Sequence, residues 1–421
     1  MRLAAVSMLS LVALLYAGLT HAQATPIPVL TLSQALAEAD ARNPEIAAAQ
    51  QSYAVAQGRL QQAAAQPLAF QSTAGSSTDA PAGLGTLQTE NTGLSQQLTP
   101  PGSLSALRRQ ARAGVEIAAA GFRVSRRDIQ RRIITAYYSL AGAQAIARVA
   151  QESVQSSLEF RASAAKRQRA GAVGDFDVLR ATVALRRAQT DLMRAQANVR
   201  SGRITLNTII GRPADSETRV ELQAPQSSTS AADELLRRAL SADPQLAQLR
   251  ASIAQAAAQE RFARAQRGPS VSFGAGFQTI RAATSGLTTA RPSLSATISV
   301  PFIDYGTIRG AVNEARAAGN VAQLQAQGRK LQVRSDLAQA VAAVESSRAR
   351  LAFAQDTLGQ ARAGLRIAQY GYRQGALGTL DVVSARNEEV AARGDVDQAA
   401  AELASAVALL GVLTDSGDTA K

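Results

Sequence analysis

The sequence predicts a mainly α-helical chain with a small β part, built from two copies of one structural unit. Three observations support this fold class. Segments of the two halves match each other, two stretches of more than sixty residues lack proline, and four short segments alternate apolar with small polar residues. Proline breaks a helix because it removes a backbone donor, so its absence favours very long helices. Alternation with a period of two is typical of strands with one apolar face.

The first element along the chain is an export signal. A short basic start precedes residues 3–19, which are apolar apart from two serines, and small residues follow. This pattern is typical of a secretory signal peptide, which we assign to residues 1–22, with cleavage after Ala22 or Ala24. The alternative is an uncleaved membrane anchor. No later segment reaches the uninterrupted apolar length of a membrane helix, so we expect the mature chain in the periplasm or beyond.

Composition excludes several kinds of chemistry. The 421 residues include no cysteine, no tryptophan and one histidine, and only 4% are aromatic. That histidine, His21, falls within the predicted signal peptide, so the mature chain has neither histidine nor cysteine. Catalysis by Ser-His-Asp or Cys-His groups is thereby excluded, and a tight zinc, copper or haem site is not expected. We predict no enzyme activity, no cofactor and no metal site.

The chain is an internal duplication. Asn-Pro-Glu at 43–45 recurs as Asp-Pro-Gln at 243–245, an offset of 200, and residues 169–179 match residues 373–383, an offset of 204. A repeat of half the chain is too long for a solenoid. The prediction is a first repeat over 23–213, a linker over 214–230, a second repeat over 231–413 and a C-terminal tail over 414–421.

Each repeat is predicted to contain a helix followed by two strands. Leu32 to Gln66 reads as the opening helix. Strands are predicted from Ser270 to Ile280 and from Ser293 to Phe302, with apolar residues on one face and Ser, Thr, Gly and Gln on the other. The first half repeats the pattern more weakly, with the apolar residues Leu68, Phe70, Ala74, Leu94 and Leu98.

Strands of this kind fit a membrane barrel whose apolar side faces lipid and whose polar side faces a wet lumen. The alternative is a soluble two-stranded sheet packed on helices. Four strands cannot close a barrel, and lipid does not tolerate unpaired strand edges. If the strands span a membrane, several copies of the chain must share one barrel, and an open lumen requires three or more copies.

The two proline-free stretches, Ser103 to about Gln168 and Thr307 to Gln374, are predicted to be helices of roughly 100 Å each. Apolar residues recur in the first at helical spacing, for example Ile129, Ile133 and Leu140. The arginines between them are interpreted as a solvated face. These arginines are Arg123, Arg126, Arg127, Arg131 and Arg132.

Each long helix is predicted to end at a glycine turn, Gly171 to Gly174 or Gly375 to Gly378, after which a second helix returns. Glycine relieves the left-handed conformation that such a helix end requires. Asp175 and Thr379 are candidate N-caps of the returning helices. Both turns, the hairpin tips, are expected at the same end of the molecule, far from the strands.

The duplicated plan, the Asn-Pro-Glu and Asp-Pro-Gln elements and the repeated glycine turns together resemble the TolC family of outer-membrane efflux channels, over essentially the whole mature chain. Residues 300–311, Val-Pro-Phe-Ile-Asp-Tyr-Gly-Thr-Ile-Arg-Gly-Ala, are similar to the strand-to-helix junction of that family. Residues 96–102, Gln-Gln-Leu-Thr-Pro-Pro-Gly, resemble the variant of the heavy-metal efflux branch (CzcC-like proteins). The chain lacks the lipidated N-terminal cysteine of many channels that serve inner-membrane resistance pumps.

The resemblance implies a homotrimer in the outer membrane that extends into the periplasm. Four strands per chain would form one shared twelve-stranded transmembrane β-barrel, in contact with outer-membrane lipid. The long α-helical hairpins would form a periplasmic helical barrel. The implied partners are a periplasmic adaptor (membrane fusion protein) and an inner-membrane pump of the resistance-nodulation-division or ABC type.

The resemblance also assigns candidate site residues. The hairpin tips would dock the adaptor through Gly171, Val173, Gly174, Gly375, Leu377 and Gly378; simple turn geometry is an equally weighted reason for the glycines. Asp177 and Asp381 follow the tips at equal spacing, and in a trimer they would form rings at a cation-attracting pore constriction. The alternative role for each aspartate is stabilisation of a helix N-terminus.

The expected function is a passive exit duct of a tripartite efflux or type I secretion system, and the residues do not decide between these two systems. A periplasmic coiled-coil adaptor or scaffold without a membrane barrel is the alternative. The net charge of +13 would suit nucleic-acid binding. However, the basic residues are spread along exported helices without aromatic stacking platforms, so no nucleic-acid partner is expected.

Overall fold

The computed structural model describes residues 29–65, 71–79, 87–171, 173–222, 231–282, 288–301 and 305–414. Several predicted features lie outside these residues. They are the signal peptide with its cleavage site, most of the C-terminal tail, part of the linker, and the strand residues Leu68, Phe70 and Phe302.

The described elements confirm the duplication. The strands are β1 (Val29–Leu30), β2 (Gln71–Asp79), β3 (Leu87–Leu98), β4 (Arg219–Val220), β5 (Ser270–Ala282) and β6 (Thr288–Ser299). The helices are α1 (Leu32–Arg42), α2 (Pro44–Ala65), α3 (Ser103–Arg169), α4 (Asp175–Ile210), α5 (Ala232–Ala242), α6 (Pro244–Ala265), α7 (Thr307–Arg373) and α8 (Thr379–Thr414). Corresponding helices of the two halves have equal lengths of 11, 22, 67 and 36 residues.

The opening helix of each repeat is broken, so the single helix predicted from Leu32 to Gln66 is wrong. The Asn43 side-chain oxygen accepts hydrogen bonds from the backbone N–H groups of Glu45 (2.8 Å) and Ile46 (3.2 Å). A capping side chain followed by proline at the first helical position starts a new helix, α2. Asp243 caps α6 in the same way, accepting from the backbone N–H of Leu246 at 2.8 Å.

The two very long helices are confirmed to within about one residue at each end. Their 67 residues correspond to about 100 Å each. The predicted apolar stripe of α3 is a packed face, because Ile129, Ile133 and Leu140 are almost fully buried. Small residues such as Ala136 and Ala141 lie between them and allow other helices to approach closely.

The chain divides into two compact units. One, which we call the hairpin unit, comprises the described residues within 29–38, 135–222 and 351–404. The other, the strand unit, comprises the described residues within 39–134, 231–350 and 405–414. Helices α3 and α7 each contribute residues to both units.

In the strand unit, part of the arginine face of α3 is engaged in ion pairs, so its interpretation as solvated is wrong for Arg126 and Arg127. Arg126 binds the Asp40 carboxylate through two nitrogens, at 2.9 and 2.6 Å. The side chain of Arg127 is only 14% exposed and lies 3.7 Å from the buried carboxylate of Asp243, which also binds Arg329 at 2.8 Å. These pairs hold the short helices α1 and α5–α6 against the long ones.

In the hairpin unit, a short parallel pair of strands is fixed by one tyrosine. β1 and β4 pair Val29 with Arg219 and Leu30 with Val220. The buried hydroxyl of Tyr137 lies 3.1 Å from the Leu30 carbonyl oxygen and 3.0 Å from that of Glu221. Burial raises the pKa of the Tyr137 phenol, which therefore remains a donor.

Helix α8 is the one helix among the described residues that is long and apolar enough, by composition alone, to cross a membrane. No such segment was expected from the sequence. The apolar stretch contains leucine and valine as well as alanine, and several of its alanines are packed. Ala401, for example, lies 3.2 Å from the position that a Cβ on Gly142 would occupy.

Replacing Tyr137 by phenylalanine tests this contact. Tyr137→Phe removes the hydroxyl, whose single proton is shared between the carbonyl oxygens of Leu30 and Glu221, and so leaves the buried Leu30 carbonyl without this donor. We expect the free energy of unfolding to fall by about 1–2 kcal/mol, measured by urea denaturation followed by circular dichroism in detergent. Tyr138→Phe is the matched control, because the Tyr138 ring is also buried but its hydroxyl has no hydrogen bond to a described residue. An equal loss of unfolding free energy in the two variants would contradict the assignment of stabilising hydrogen bonds to the Tyr137 hydroxyl.

Candidate functional site

The four long strands form one antiparallel sheet in the order β2-β3-β5-β6. β3 and β5, which come from different halves, pair from Leu87 opposite Ala282 to Leu98 opposite Val271. β2 and β6 are the outer strands, and each has one edge that no described strand covers. Opposite residues of antiparallel strands project from the same face, so the register assigns every side chain to a face.

One face of the sheet, the apolar face, carries the large side chains. Ile298, Val271 and Leu98 form one row across three strands, and Leu294 and Ala275 continue the row of Leu94. The apolar residues of this face include Ala74, Leu94, Leu98, Val271, Phe273, Ala275, Phe277, Leu294, Ala296 and Ile298. Leu294 is 90% exposed and Ile298 69% exposed, so within the described chain this face has no covering layer. The face assignment predicted for β5 and β6 is confirmed.

The opposite face, the polar face, carries small and uncharged side chains almost throughout. Its residues include Thr73, Gly75, Asn91, Gly93, Ser95, Gln97, Ser272, Gly274, Gly276, Gln278, Ser293, Ser295 and Thr297. Gly276 lies opposite Gly93, and a Cβ added to Gly276 would be 2.7 Å from the carbonyl oxygen of Thr92. Glycine is therefore required at this position, where β3 and β5 approach each other closely.

The strand boundaries differ from the prediction in one respect. β6 begins at Thr288 and not at Ser293, and it includes Pro292 opposite Phe277. Proline lacks the backbone donor of a strand ladder and usually marks a loop, which is why the predicted strand started after it. An outer strand accommodates proline because one of its edges carries no ladder within the chain.

The hairpin tips have the predicted left-handed glycines. Gly171 has φ 72° and Gly375 has φ 75°. At the second tip, the N–H groups of Ala376 and Gly375 donate to the carbonyl oxygens of Gly371 (2.9 Å) and Tyr372 (3.2 Å). This pair of bonds is the Schellman motif that ends a helix at a left-handed glycine. Turn geometry thus accounts fully for Gly375.

The other predicted tip residues differ in their surroundings. Gly174 and Gly378 are exposed, and Val173 is half-buried. Leu377 folds back onto Gly371, where an added Cβ would lie 2.6 Å from its Cδ1 atom, yet the residue remains 37% exposed. The tips therefore present backbone and a partly exposed leucine.

The two candidate pore aspartates lie in the first turns of the returning helices. Asp177 is in α4, after the exposed Gly174, and Asp381 is in α8. The Asp381 carboxylate accepts a hydrogen bond from the backbone N–H of Gly378 at 2.8 Å. Its stabilising role at a helix N-terminus is therefore real, and it leaves the second carboxylate oxygen available.

The predicted N-caps are one residue too late. Gly174 is the N-cap of α4, so Asp175 is its first helical residue, and Thr379 likewise begins α8. The Asp175 carboxylate instead accepts from the Gln168 side chain at 2.6 Å across the turn. A glycine cap suffices here because aspartates in the first turn offset the positive end of the helix.

Sequence patterns gave no indication of a cluster beneath the tips. The guanidinium carbon of Arg167 lies 4.3 Å from the centroid of the Tyr372 ring, and this ring is 6.0 Å from that of Phe160. Arg386 donates to the Ser156 carbonyl oxygen at 2.7 Å, and burial lowers its pKa. The cluster joins the end of α3 to that of α7, so the two tips are neighbours, which agrees with the prediction that both lie at one end of the molecule. The sequence signal that could have indicated this cluster is the presence of aromatic residues near the tips, because aromatic residues are rare in this chain.

A family model described as "Outer membrane efflux protein" matches the chain twice, over residues 35–212 and 235–414. The two matches correspond to the two halves of the duplication. A comparison with curated protein sequences gives no significant match.

Solved structures share the fold over nearly the whole chain. The outer-membrane channel OprN is 21% identical, with a TM-score of 0.76 over 92% of this chain and 90% of its own. The outer membrane protein VceC from Vibrio cholerae is 20% identical, with a TM-score of 0.74 over 91% and 96%. CusC is 16% identical, with a TM-score of 0.77 over 93% of both chains.

Proposed function

The chain belongs to the outer membrane efflux protein family, and from this premise we propose that it forms, as a homotrimer, the exit duct of a tripartite efflux system. The family consists of channels rather than enzymes. The duct is passive, and an inner-membrane pump supplies the energy. A periplasmic coiled-coil adaptor without a barrel, the alternative, leaves the apolar face unexplained.

The four-stranded sheet is the observation that carries the proposal. Its apolar face exposes large side chains, its polar face is small and hydrophilic, and both outer edges lack partners among the described residues. In lipid every backbone donor and acceptor must be paired, so an open sheet cannot span a membrane by itself. Closure with the same sheet of neighbouring copies satisfies both edges.

A stripe on α7 supports self-assembly independently of the strands. Val321, Leu324 and Leu331 are 52%, 66% and 65% exposed, and they lie on one side of the helix together with Gly328. Glycine within a helix costs about 1 kcal/mol relative to alanine, and nothing described lies within 4 Å of a Cβ built on Gly328. A closely packed helix of a second copy would account for both observations.

Disulfide trapping tests the shared barrel. The chain contains no cysteine, so pairs of introduced cysteines report their own contacts. With Thr73→Cys on β2 and a series of single cysteines along β6, we expect inter-chain disulfides at alternating positions of β6. Denaturing gels should then show covalent three-chain species from outer-membrane fractions.

The matched control joins two strands of one chain. Leu94→Cys with Ala275→Cys occupies opposite positions of β3 and β5 and should cross-link within a single chain. Formation of this intra-chain disulfide without any β2–β6 cross-link would contradict the shared barrel while leaving the sheet itself intact.

We further propose that the hairpin tips dock a periplasmic adaptor, through the exposed backbone of Gly171, Gly174, Gly375 and Gly378 and the side chains of Val173 and Leu377. The adaptor would link the duct to a resistance-nodulation-division or ABC pump. Asp177 and Asp381 would line the pore end, because three copies place each at three symmetric positions. Clustered carboxylates in a narrow aperture attract cations.

Neutralising Asp381 tests the pore role. Asp381→Asn removes the charge but keeps an oxygen that accepts from the Gly378 N–H group, so the turn is preserved. We expect a lower cation preference, seen as a shift of the reversal potential of reconstituted channels in a salt gradient. Asp177→Asn should act in the same direction.

Asp175→Asn is the control for this experiment, since Asp175 lies in the same turn but its carboxylate binds Gln168. Unchanged reversal potentials in both the Asp381 and the Asp177 variants would remove the constriction from the proposal. A shift as large in the Asp175 variant would assign the effect to general charge at the tips.

We also propose that the chain belongs to the heavy-metal branch of the family and exports heavy metals, because residues 96–102 resemble the variant of that branch. Deletion of the gene in its native host should lower the tolerated concentration of cobalt, zinc or cadmium severalfold, and re-expression should restore it. Unchanged metal tolerance with loss of a secreted protein would instead indicate type I secretion.

A further inference from the structure

We infer that Arg291 concentrates anions locally at the barrel wall of the membrane segment, which assigns a charged pore-lining residue to the strands. This inference rests on the proposed barrel, in which the polar face lines the lumen. It concerns the strands and is separate from the aspartates of the hairpin tips.

The register places Arg291 on the polar face. Arg291 lies opposite Gln278, Gln278 opposite Asn91, and Asn91 opposite Gly75. These four positions form one row across the sheet. The next row along the strands contains Gly93, Gly276 and Ser293, whose side chains are too small to fill the space beside the guanidinium group.

Little opposes the charge of Arg291. Among the described strand residues, the other ionisable group on the polar face is Asp79, at the far end of β2. Three strands and two rows separate these residues within one chain, which amounts to about 20 Å. This distance exceeds the screening length of about 8 Å at physiological salt. Glu90 and Arg281 belong to the apolar face, on the other side of the wall.

Three copies would repeat Arg291 around the lumen. Within the described strands of its own chain no carboxylate of the polar face lies within a screening length of Arg291, so this cation sets the potential of the wall on its β5 side, where Gln278 lies. Asp79 of the following copy would lie on its other side, across the junction between β6 and β2. Anions are concentrated near such a ring and cations are depleted. The outer strand β6 carries the residue, so each arginine would stand next to the junction with the following copy.

Charged thiol reagents measure this potential directly. Gln278→Cys places a thiol opposite Arg291 in a chain that has no other cysteine. Its modification by an anionic methanethiosulfonate (sulfonatoethyl) is compared with that by a cationic one (trimethylammonium-ethyl), both added from outside to outer-membrane preparations. At about 6 Å in water, attraction and repulsion together give a rate ratio of about tenfold in favour of the anion at low salt.

The second variant set ties the ratio to Arg291. With Arg291→Gln in the Gln278→Cys background, the ratio should fall close to that of the free reagents, whereas Arg291→Lys should keep it. Because both reagents react with the same thiol, changes in thiol pKa cancel. A ratio that is already unselective in the parent, or unaffected by Arg291→Gln, overturns the inference.

A position on the other face separates this inference from the proposed function. Ala275→Cys lies on the apolar face and should react with neither reagent when it faces lipid. Equal labelling of Ala275→Cys and Gln278→Cys would refute the barrel itself. Labelling of Gln278→Cys alone, without charge preference, would refute only the role of Arg291.

Discussion

Unpaired strand edges are the constraint on which the rest of this molecule depends. A chain that contributes four strands has two open edges, and a hydrocarbon environment provides no water to satisfy their backbone groups. The apolar face makes lipid the natural surrounding of the sheet, and the open edges make isolation in lipid impossible. The proposed homotrimer meets both conditions, and the exposed stripe of α7 is suited to contacts between neighbouring helices.

The two repeats are joined both in the sheet and between the helices. β3 and β5, one from each half, form the central pair of the sheet, so backbone hydrogen bonds at its centre join the two halves. Away from the strands, carboxylates of the short helices bind arginines of α3 and α7, as in the Asp40–Arg126 and Asp243–Arg329 pairs. Partly buried pairs with two hydrogen bonds define orientation more than they add stability.

Local rules predicted much of this structure from the sequence. The alternation of apolar and polar residues predicted the faces of β5 and β6, and the absence of proline predicted the long helices. The left-handed backbone conformation at a helix end predicted glycine at Gly171 and Gly375. Apart from the helix break at Asn43 and the shifted N-caps, the misjudged features depend on contacts between distant residues. The partner of Arg126 is 86 residues away, and the register that holds Pro292 within β6 is set by β5. Tyr372 and Arg167 likewise meet only because two helices pack side by side.

The facing glycines of β3 and β5 have a consequence for biogenesis. A shift of one residue would bring a side chain opposite Gly276 and would also exchange the two faces of one strand relative to the other. With the register shifted in this way, the backbones of β3 and β5 could not approach each other as closely. The facing glycines therefore select one alignment of β3 and β5, and this selection requires no residue from another copy of the chain.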